Sequence, residues 1–238
     1  MIHSAIARWP LFRKLFTFVS GYPKRRWSFF KGLPAPGNIL ELGCGNGGNL
    51  NCARLVHPSA TLFGVDIVQA ADLFPDINFA HADIDREKLP FADDSFDAVV
   101  LVHVIEHLRN PFLVRDEIAR VLKPGGRFYV ETPNWTSTLV PSFGIKREIG
   151  FPANFFDDPT HIRPWTKQSL FGCFHKGRGL RVEQVGTTRE WPRALFDPFL
   201  MVAGYLLRDR VAFLLSFTNL FGWNIYVSGR KENQGQRP

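Results

Sequence analysis

The chain has 238 residues and a hydrophobic content of 45%, which is enough to bury one full core. Its three cysteines contain no C-x-x-C pair and are too few for a disulfide framework, so a reducing cytoplasmic compartment is expected. The net charge of +7 is carried by residues 1–40, which contain seven basic and no acidic residues, whereas the rest of the chain is formally neutral. This distribution argues against a broadly basic nucleic-acid surface, so nucleic acid is not an expected partner.

Residues 1–36 form the first predicted segment. Within it, residues 2–19 mix large apolar side chains with Arg8, Arg13 and Lys14, a pattern typical of a basic amphipathic helix. The segment lacks the long apolar run and cleavage site of a secretory signal. We predict either a cap over a ligand cleft or an arm on an anionic membrane surface. The second alternative would place the protein on the inner face of the plasma membrane.

The stretch that follows predicts a strand, a turn and a helix. Residues 38–42 form a short apolar run, and residues 48–56 have the apolar spacing of a helix. The turn between them contains a cluster of four glycines: Gly43, Gly45, Gly47 and Gly48. Glycine allows backbone conformations that other residues avoid, and the helix start offers free N–H groups to an anionic ligand. A corner that binds nothing is therefore the disfavoured alternative.

Two binding motifs share this turn. The spacing of Gly43, Gly45 and Gly48 satisfies the dinucleotide fingerprint G-x-G-x-x-G. With Gly47, Glu41 also completes E-x-G-x-G-x-G, and here the chain resembles class I S-adenosylmethionine-dependent methyltransferases. The carboxylate of Glu41 would repel a pyrophosphate but can hold a cationic amino group. Because S-adenosylmethionine carries such a group, the resemblance implies that it is the cofactor, with a dinucleotide as the disfavoured alternative.

Beyond this turn, strands and helices alternate, which predicts a largely parallel sheet. The further predicted strands are residues 61–65, 77–81, 96–102, 127–131, 180–185 and 223–227. The further predicted helices are residues 111–122 and 167–175. Asp66 follows the second strand, 18 residues beyond Gly48. An acid at this place accepts hydrogen bonds from ribose hydroxyls in such folds.

The resemblance to class I methyltransferases extends over residues 38–131 and includes two more similar blocks within that range, at residues 89–97 and 122–126. It implies a Rossmann-like α/β fold, in which a seven-strand mixed sheet carries helices on both faces. It also implies that adenine is held by the residues after the third strand. The implied cofactor-binding residues are Glu41, Gly43, Gly45, Gly47, Asp66, Ile67, Asp83, Ile84 and His103.

A Glu-His pair lies just after the fourth predicted strand, at Glu106 and His107, with His103 three residues before it. A helical turn would place these side chains on one side, near the carboxyl end of the sheet where ligands bind in open α/β folds. Small-RNA and ubiquinone-pathway O-methyltransferases resemble this stretch, and some of them bind a metal through an acid, Glu-His and a later His. Here His103 replaces the acid, so a metal site at His103, Glu106, His107 and His161 is not favoured.

Residues 132–165 form a long segment rich in proline and aromatic residues, which predicts a substrate lid. Its final motif, Asp-Pro-x-His-x-Arg-x-Trp-Thr, starts at Asp158. This motif resembles bacterial methyltransferases of cell-surface glycan and lipid-linked sugar synthesis. The resemblance implies O-methylation of a hydroxyl on a sugar, a glycan or a lipid-linked acceptor.

The candidate residues for acceptor chemistry lie in this lid or close to it. We expect His161 and His107 to act as bases, since imidazole titrates near neutral pH. The residues expected to bind the acceptor are Trp135, Arg163 and Trp165. In the alternative interpretation, Asp158 and His161 only brace the loop, and Thr166 caps the next helix.

The methyltransferase domain is predicted to span residues 37–229, and residues 194–222 within it form an apolar helical region. The uncharged run from Val211 to Gly229 has 19 residues, long enough to suggest a membrane-spanning helix. We disfavour that interpretation because polar residues interrupt the run and residues 223–227 suit the closing strand. Residues 230–238 are predicted to be a disordered tail.

Three alternatives to glycan methylation stay open. A nucleic-acid methyltransferase is disfavoured because Thr132-Pro133-Asn134 differs from the Asn/Asp-Pro-Pro-Tyr/Phe pattern of base amino methylation. Methylation of a quinone or another lipid or small molecule is compatible with the apolar C-terminal region. A non-catalytic, membrane-associated module that binds S-adenosylmethionine is the alternative from a different functional class.

Overall fold

The computed structural model describes residues 24–140, 154–175, 179–190, 194–207 and 210–233. The strands are β1 (Asn38–Leu42), β2 (Thr61–Asp66), β3 (Ile77–His81), β4 (Phe96–Val102), β5 (Leu122–Pro133), β6 (Leu180–Thr187) and β7 (Asn224–Lys231). The helices are α1 (Lys24–Lys31), α2 (Gly48–Val56), α3 (Pro111–Val121), α4 (Lys167–His175), α5 (Asp197–Leu206) and α6 (Arg210–Phe221). Short 3₁₀ turns are Ile105–His107, Trp135–Leu139 and Phe155–Asp157.

All seven strands join one sheet in the order β3-β2-β1-β4-β5-β7-β6. The strands from β1 to β5 pair in parallel, whereas β7 runs antiparallel to both β5 and β6. The predicted seven-strand mixed sheet is therefore confirmed. The strand order reverses between β1 and β4, and ligands of open α/β folds bind at the carboxyl ends of the strands on either side of such a point.

Hydrophobic layers cover both faces of the sheet. On one face, α1 and α2 pack through Phe29, Phe30 and Leu50. On the other face, α3 and α4 pack through Ile118 and Phe174. Burial of each of these side chains stabilises the fold by about 1.5–3 kcal/mol relative to an exposed one. The predicted helices on both faces are confirmed.

Long-range pairing moves the ends of several elements away from their predicted positions. β5 begins at Leu122 rather than at residue 127, because Leu122 already pairs with Phe96 of β4. β7 continues to Lys231 because Lys231 pairs with Leu180 of β6. The predicted tail from residue 230 is therefore corrected: its first two residues belong to the sheet.

The N-terminal boundary needs a similar correction. Helix α1 is part of the folded body, since Phe29, Phe30 and Leu33 lie in the core. The described residues of the predicted segment 1–36 therefore cap the sheet face and are not a separate arm. Residues 1–23, on which the membrane-arm prediction rests, lie outside the described residues.

Two further predicted segments are described only in part. Of the predicted lid, residues 141–153 lie outside the described ranges. The apolar region 194–222 contains the two helices α5 and α6, which pack against each other. Among the helices of the described residues, each is too short or too polar to cross a membrane.

Candidate active site

The glycine turn after β1 contains two kinds of position. A Cβ at Gly43 would stand 2.3 Å from Cγ2 of Val104, and one at Gly47 would stand 2.2 Å from Cδ1 of Ile77. Both positions therefore need glycine for packing. Gly45 has a φ of +49°, yet a Cβ there would meet nothing within 4 Å. The space beside Gly45 is open to a ligand.

Asp66, at the end of β2, faces this turn. Its Oδ2 accepts a hydrogen bond from the Gly45 N–H at 2.9 Å, and its Oδ1 accepts one from the Ile67 N–H at 2.7 Å. Each carboxylate oxygen keeps a second lone pair for a hydroxyl donor. The Ile67 side chain is 58% exposed, so it offers apolar surface at the same edge of the sheet. The structure thus brings these three predicted cofactor residues together.

Asp83 and Ile84 follow the edge strand β3. Asp83 accepts a hydrogen bond from the Asp85 N–H at 3.1 Å and lies 3.5 Å from the Arg86 guanidinium. The Ile84 side chain is buried and packs in the core. Any contact between Ile84 and an adenine ring would therefore have to come from its backbone.

Glu41 lies buried beneath the glycine turn. Its Oε1 accepts a hydrogen bond from Asn49 Nδ2 at 2.5 Å, whereas its Oε2 lacks a hydrogen-bond partner in the described part of the chain. Burial raises the pKa of Glu41 to about 8, although the Asn49 hydrogen bond and the charge of Arg26 act in the opposite direction. A cationic ligand group near Oε2 would supply the missing partner and stabilise the ionised carboxylate.

A buried ion pair connects α1 with β5. Arg26 donates from Nε and Nη2 to Glu131 at 2.9 and 2.6 Å, and from Nη1 to Asn49 Oδ1 at 3.0 Å. Glu131 also accepts hydrogen bonds from the Tyr129 hydroxyl at 2.6 Å and from Asn224 Nδ2 at 3.0 Å. Burial alone would raise the pKa of Glu131, but the charge and hydrogen bonds of Arg26 lower it below its ordinary value. This pair fixes α1 beside both the glycine turn and the end of β5.

His103 lies after β4 with a φ of +56°, which is rare for a residue with a side chain. Its backbone N–H donates to the Glu131 carbonyl oxygen at 2.9 Å. Its ring lies between two buried carboxylates, with Nδ1 3.4 Å from Glu106 Oε1 and Nε2 3.7 Å from Glu131 Oε1. The Trp223 ring centroid is 6.2 Å away. His103 is therefore held where the ends of β4, β5 and β7 meet.

Three polar side chains converge beneath the lid: Glu106, His107 and His161. One ligand atom from each lies within 4.8 Å of the other two. Glu106 is fully buried; its Oε2 accepts a hydrogen bond from Thr132 Oγ1 at 3.0 Å, and its Oε1 has no hydrogen-bond partner within the described ranges. Oε1 lies 4.0 Å from His161 Nε2. A proton donor or a cation between these two atoms would satisfy both.

Hydrogen bonds to carbonyl groups decide the tautomers of the two histidines. His161 Nδ1 lies 2.6 Å from the Phe155 carbonyl oxygen, and His107 Nδ1 lies 3.2 Å from the Thr160 carbonyl oxygen. Because a carbonyl only accepts, and the Thr160 hydroxyl that lies 3.0 Å from His107 Nδ1 donates to Asp158, each Nδ1 carries a hydrogen. In the neutral form of each ring, Nε2 keeps the free lone pair. Burial lowers the pKa of His161, although the Phe155 hydrogen bond and the charge of Glu106 raise it. His161 is therefore neutral at pH 7 and able to accept a proton at Nε2.

Backbone hydrogen bonds attach the lid to this cluster. The N–H groups of Ile162 and Arg163 both donate to the Glu106 carbonyl oxygen, at 2.9 and 3.2 Å. At the other end of the lid, the Trp135 N–H donates to the Trp165 carbonyl oxygen at 2.8 Å. His161 is thus placed by main-chain contacts with the turn that carries Glu106.

The three residues predicted to bind the acceptor differ in exposure. Trp135 is 44% exposed, and Arg163 is exposed with its guanidinium 5.8 Å from the Trp165 ring centroid. Trp165 is 3% exposed and packs in the core. The structure therefore corrects the prediction for Trp165. Its buried ring contacts the Arg163 guanidinium and does not line an open surface.

A metal ion, if one binds, would use Glu106, His107 and His161, since two imidazole nitrogens and a carboxylate oxygen are a competent ligand set. His103 was the fourth residue of the predicted set. It does not belong to this group, because its ring lies between Glu106 and Glu131.

Sequence reasoning did not assign a role to Arg26, Glu131 or Thr132. Glu131 follows a buried apolar run in β5, and a charge at such a place needs a partner, so a signal was present. The partner itself could not be found locally, because Arg26 is 105 positions away.

The family model that describes a methyltransferase domain matches residues 12–185 of the chain. The chain belongs to this methyltransferase family. Open space at Gly45, a Glu41 oxygen that lacks a hydrogen-bond partner among the described residues, and free lone pairs on Asp66 fit the amino acid and ribose parts of S-adenosylmethionine. The domain is an S-adenosylmethionine-dependent methyltransferase domain, and S-adenosylmethionine is its cofactor.

Curated relatives cover parts of the methyltransferase. The ubiquinone/menaquinone biosynthesis C-methyltransferase UbiE of Desulfotalea psychrophila is 31% identical over 163 residues, covering 64% of this chain and 65% of the relative. The phthiotriol/phenolphthiotriol dimycocerosates methyltransferase of Mycobacterium tuberculosis is 40% identical over 101 residues, covering 38% and 35%. The chain thus spans between about a third and two thirds of the length of such relatives.

Solved structures share the fold of the methyltransferase. An S-adenosylmethionine-dependent methyltransferase from Mesorhizobium loti has a TM-score of 0.57 at 19% identity, covering 90% of this chain and 100% of the other. The phosphoethanolamine N-methyltransferase 2 of Haemonchus contortus, in complex with S-adenosyl-L-methionine, has a TM-score of 0.60 at 16% identity, covering 92% and 56%. At these identities the likeness shows the fold alone, and it confirms the predicted Rossmann-like fold.

Proposed function

We propose that this methyltransferase transfers a methyl group to a hydroxyl oxygen of a sugar, a glycan or a lipid-linked acceptor. The observation that carries the proposal is the neutral imidazole of His161, whose free Nε2 lies 4.0 Å from the buried carboxylate of Glu106. An alcohol must lose its proton as it attacks. A base at this place therefore favours an oxygen nucleophile.

In the proposed reaction, S-adenosylmethionine supplies an electrophilic methyl group, whose bond to sulfur breaks as the bond to the acceptor oxygen forms. Glu41, Gly45 and Asp66 would hold the cofactor. His161 Nε2 takes the hydroxyl proton, and the neighbouring Glu106 carboxylate stabilises the imidazolium that results. The Phe155 carbonyl oxygen holds the opposite nitrogen, so the ring keeps its orientation through the transfer.

Two exposed side chains support a sugar-type acceptor. Trp135 offers an aromatic face on which the apolar side of a sugar ring can stack. Arg163 carries a positive charge that suits the phosphate groups of a lipid-linked sugar. Both stand on segments that main-chain contacts attach to the catalytic cluster.

Methylation of a quinone or another lipid is a second candidate. It is supported by the two relatives whose names give them a quinone pathway and a phthiotriol lipid. A phenolic hydroxyl has a pKa near 10, so it needs less help from a base than an aliphatic hydroxyl does. A divalent cation on Glu106, His107 and His161 is the competing way to lower the pKa of an acceptor hydroxyl.

Transfer of labelled methyl groups from S-adenosylmethionine to a panel of acceptors tests the proposal. The panel contains a lipid-linked saccharide, the free saccharide and a quinol. We expect label in an alkali-stable methyl ether on the saccharide. Label on the quinol would support the second candidate. Cofactor binding without transfer to any acceptor would favour a non-catalytic module.

A further inference from the structure

The helical hairpin formed by α5 and α6 exposes an unusual surface. In residues 194–207 every exposed side chain is apolar or aromatic: Leu195, Phe196, Pro198, Phe199, Val202, Tyr205, Leu206 and Leu207. We call these eight side chains the α5 face. Phe199 and Tyr205 are each 75% exposed. A surface helix in water normally turns its polar residues outward, so this helix has the opposite arrangement.

Three polar side chains of the hairpin, those of Asp197, Ser216 and Asn219, lie inside it. Asp197 is fully buried and accepts a hydrogen bond from Asn219 Nδ2 at 2.5 Å, which joins α5 to α6. Gly204 of α5 and Ser216 of α6 are also buried. Small residues and polar contacts between helices, with apolar side chains outside, are the arrangement that helices adopt in contact with lipid.

The hairpin also contains a cavity with an apolar lining. Its volume is about 350 Å³. The lining residues are Pro198, Met201, Val202, Tyr205, Phe213 and Leu220. Several of them belong to the α5 face, so the cavity extends the apolar surface between the helices. Exposed apolar surfaces of this kind mark interaction sites.

We propose that the α5 face docks on a lipid bilayer and lies at the boundary between the headgroups and the acyl chains. Helix α5 has ten residues, and a helix of that length is about 15 Å long, roughly half the thickness of a hydrocarbon core. It therefore lies in the interface and does not span it. In the sequence, Arg193 precedes the helix and Arg208, Asp209 and Arg210 follow it, so the net charge of these flanking residues is positive and suits lipid phosphates.

A bilayer fits this face better than a protein partner does. Protein interfaces combine an apolar centre with a polar rim and about one hydrogen bond per 100–200 Å². Among the eight exposed side chains, only Tyr205 has a hydrogen-bonding group. A surface with so few hydrogen-bonding groups matches the acyl region of a bilayer, which forms no hydrogen bonds.

The hairpin leads directly into the candidate active site. Asn134, at the start of the lid, donates its backbone N–H to the Trp223 carbonyl oxygen at 2.7 Å and its Nδ2 to the Gly222 carbonyl oxygen at 3.4 Å. The Trp223 ring then lies beside His103. Docking goes beyond the proposed function and does not depend on the acceptor, but it would place the acceptor site close to the membrane surface.

Flotation of the full-length protein with phosphatidylcholine vesicles tests the proposal. We expect the protein to float with these uncharged vesicles and to stay bound at high salt, because the α5 face is uncharged. Phe199→Glu/Tyr205→Glu should lower the partition coefficient roughly tenfold or more, since two large apolar contacts are lost. Phe199→Trp should keep binding, because an aromatic ring at the interface is retained.

Leu55→Glu is the matched control, because Leu55 is 65% exposed on α2 and should not affect flotation. Cofactor affinity, measured by calorimetry, should be equal in all variants and shows that they fold. If the double variant loses cofactor affinity, the milder variant Phe199→Ser is tested in its place. Unchanged vesicle binding by Phe199→Ser would overturn the proposal. These measurements do not depend on methyl transfer, so a negative result would count against membrane docking and not against the proposed function.

Three further results would overturn the docking proposal. The first is a protein that ignores uncharged vesicles. The second is binding only to anionic vesicles, if salt releases the protein from them and the full-length variant Arg13→Glu/Lys14→Glu no longer binds. That result would assign membrane binding to the N-terminal segment. The third is a change from dimer to monomer in the double variant without lipid, which makes the α5 face a contact between two copies.

Discussion

The proposed cofactor half and the proposed acceptor half of the site are built in different ways. In the cofactor half, Glu41, Gly45 and Asp66 lie within 26 positions of one another and meet at the ends of the neighbouring strands β1 and β2. In the acceptor half, a cluster forms around Glu106 and His161, which are more than 50 positions apart. Local motifs can encode the first kind of site, whereas the second depends on how distant segments pack.

Two buried carboxylates beside the glycine turn differ in how their charge is satisfied. Glu41 keeps one oxygen without a partner in the described residues, and burial raises its pKa to about 8. Glu131 is saturated by Arg26, Tyr129 and Asn224, and its pKa lies below the ordinary value. Glu41 would have to lose its proton to pair with a cationic ligand, while Glu131 already has its cation.

The largest expected effect comes from the acceptor half. His161→Ala should lower turnover by about 10²–10⁴, the range for a lost general base, because Nε2 no longer takes the proton. Cofactor affinity should barely change. In the wild type, turnover should fall as pH drops through the lowered pKa of His161, below about 6.5, and stay level above it. Steady-state kinetics on the true acceptor measures both effects.

His175→Ala is the control for this variant, because His175 is exposed on α4 and stacks on Phe171. Normal turnover in His161→Ala would return His161 to the role of a loop brace. If a metal operates instead, chelation should abolish activity, Mg²⁺ or Zn²⁺ should restore it, and His107→Ala should behave like His161→Ala.

The buried ion pair that borders both halves gives the next largest effect. Arg26→Ala should lower the free energy of unfolding by about 3–5 kcal/mol, because it leaves the buried Glu131 charge without its guanidinium partner. Arg54→Ala is the control, since the pair of Arg54 and Asp76 is exposed and worth about 0–1 kcal/mol. Urea denaturation measures the difference, and equal losses in the two variants would contradict the assignment.

The same variant should reverse the pH dependence of stability. In the wild type the folded pKa of Glu131 is depressed, so its contribution is present above the unfolded pKa and is lost as pH falls through the folded pKa. Without Arg26, burial raises the pKa above the unfolded value. Stability of the variant should then fall as pH rises above about 4.5.

The cofactor half can be tested at its open position. Gly45→Val should weaken S-adenosylmethionine binding about a hundredfold or more, because the side chain fills space that the ligand needs. Gly179→Val is a matched control: Gly179 also has a positive φ, of +79°, and open space around it. Calorimetry that shows equal affinity losses in both variants would assign the effect to backbone strain.

The smallest expected effect concerns Glu41 and distinguishes its charge state from that of Glu131. Because the pKa of Glu41 is about 8, its carboxylate must lose a proton to hold the cofactor's amino group. Affinity for S-adenosylmethionine should therefore rise roughly eightfold from pH 6 to pH 7 and level off near pH 8 as the ligand amine deprotonates. Glu41→Gln should remove this dependence, and a flat wild-type profile would contradict the raised pKa.

The sequence by itself determined the fold class and the order of the elements, and it predicted the residues of the cofactor half. Strand and helix periods fix elements such as β1 and α2, and the glycines after Glu41 fix a turn whose contacts are local. The exposed apolar residues of 194–207 were also present in the sequence as an apolar region. Their exposure was not, because a buried helix and a lipid-facing helix have similar compositions.

Only the tertiary structure decided the acceptor half and the ends of the sheet. Periodicity does not say that Arg26 reaches Glu131, that Trp165 packs in the core, or that β7 continues to Lys231. Each of these depends on pairing between segments far apart in the chain, where burial and hydrogen bonding outweigh local preference. The same physics places His161 Nε2 opposite Glu106, a contact across 55 positions that local sequence does not encode.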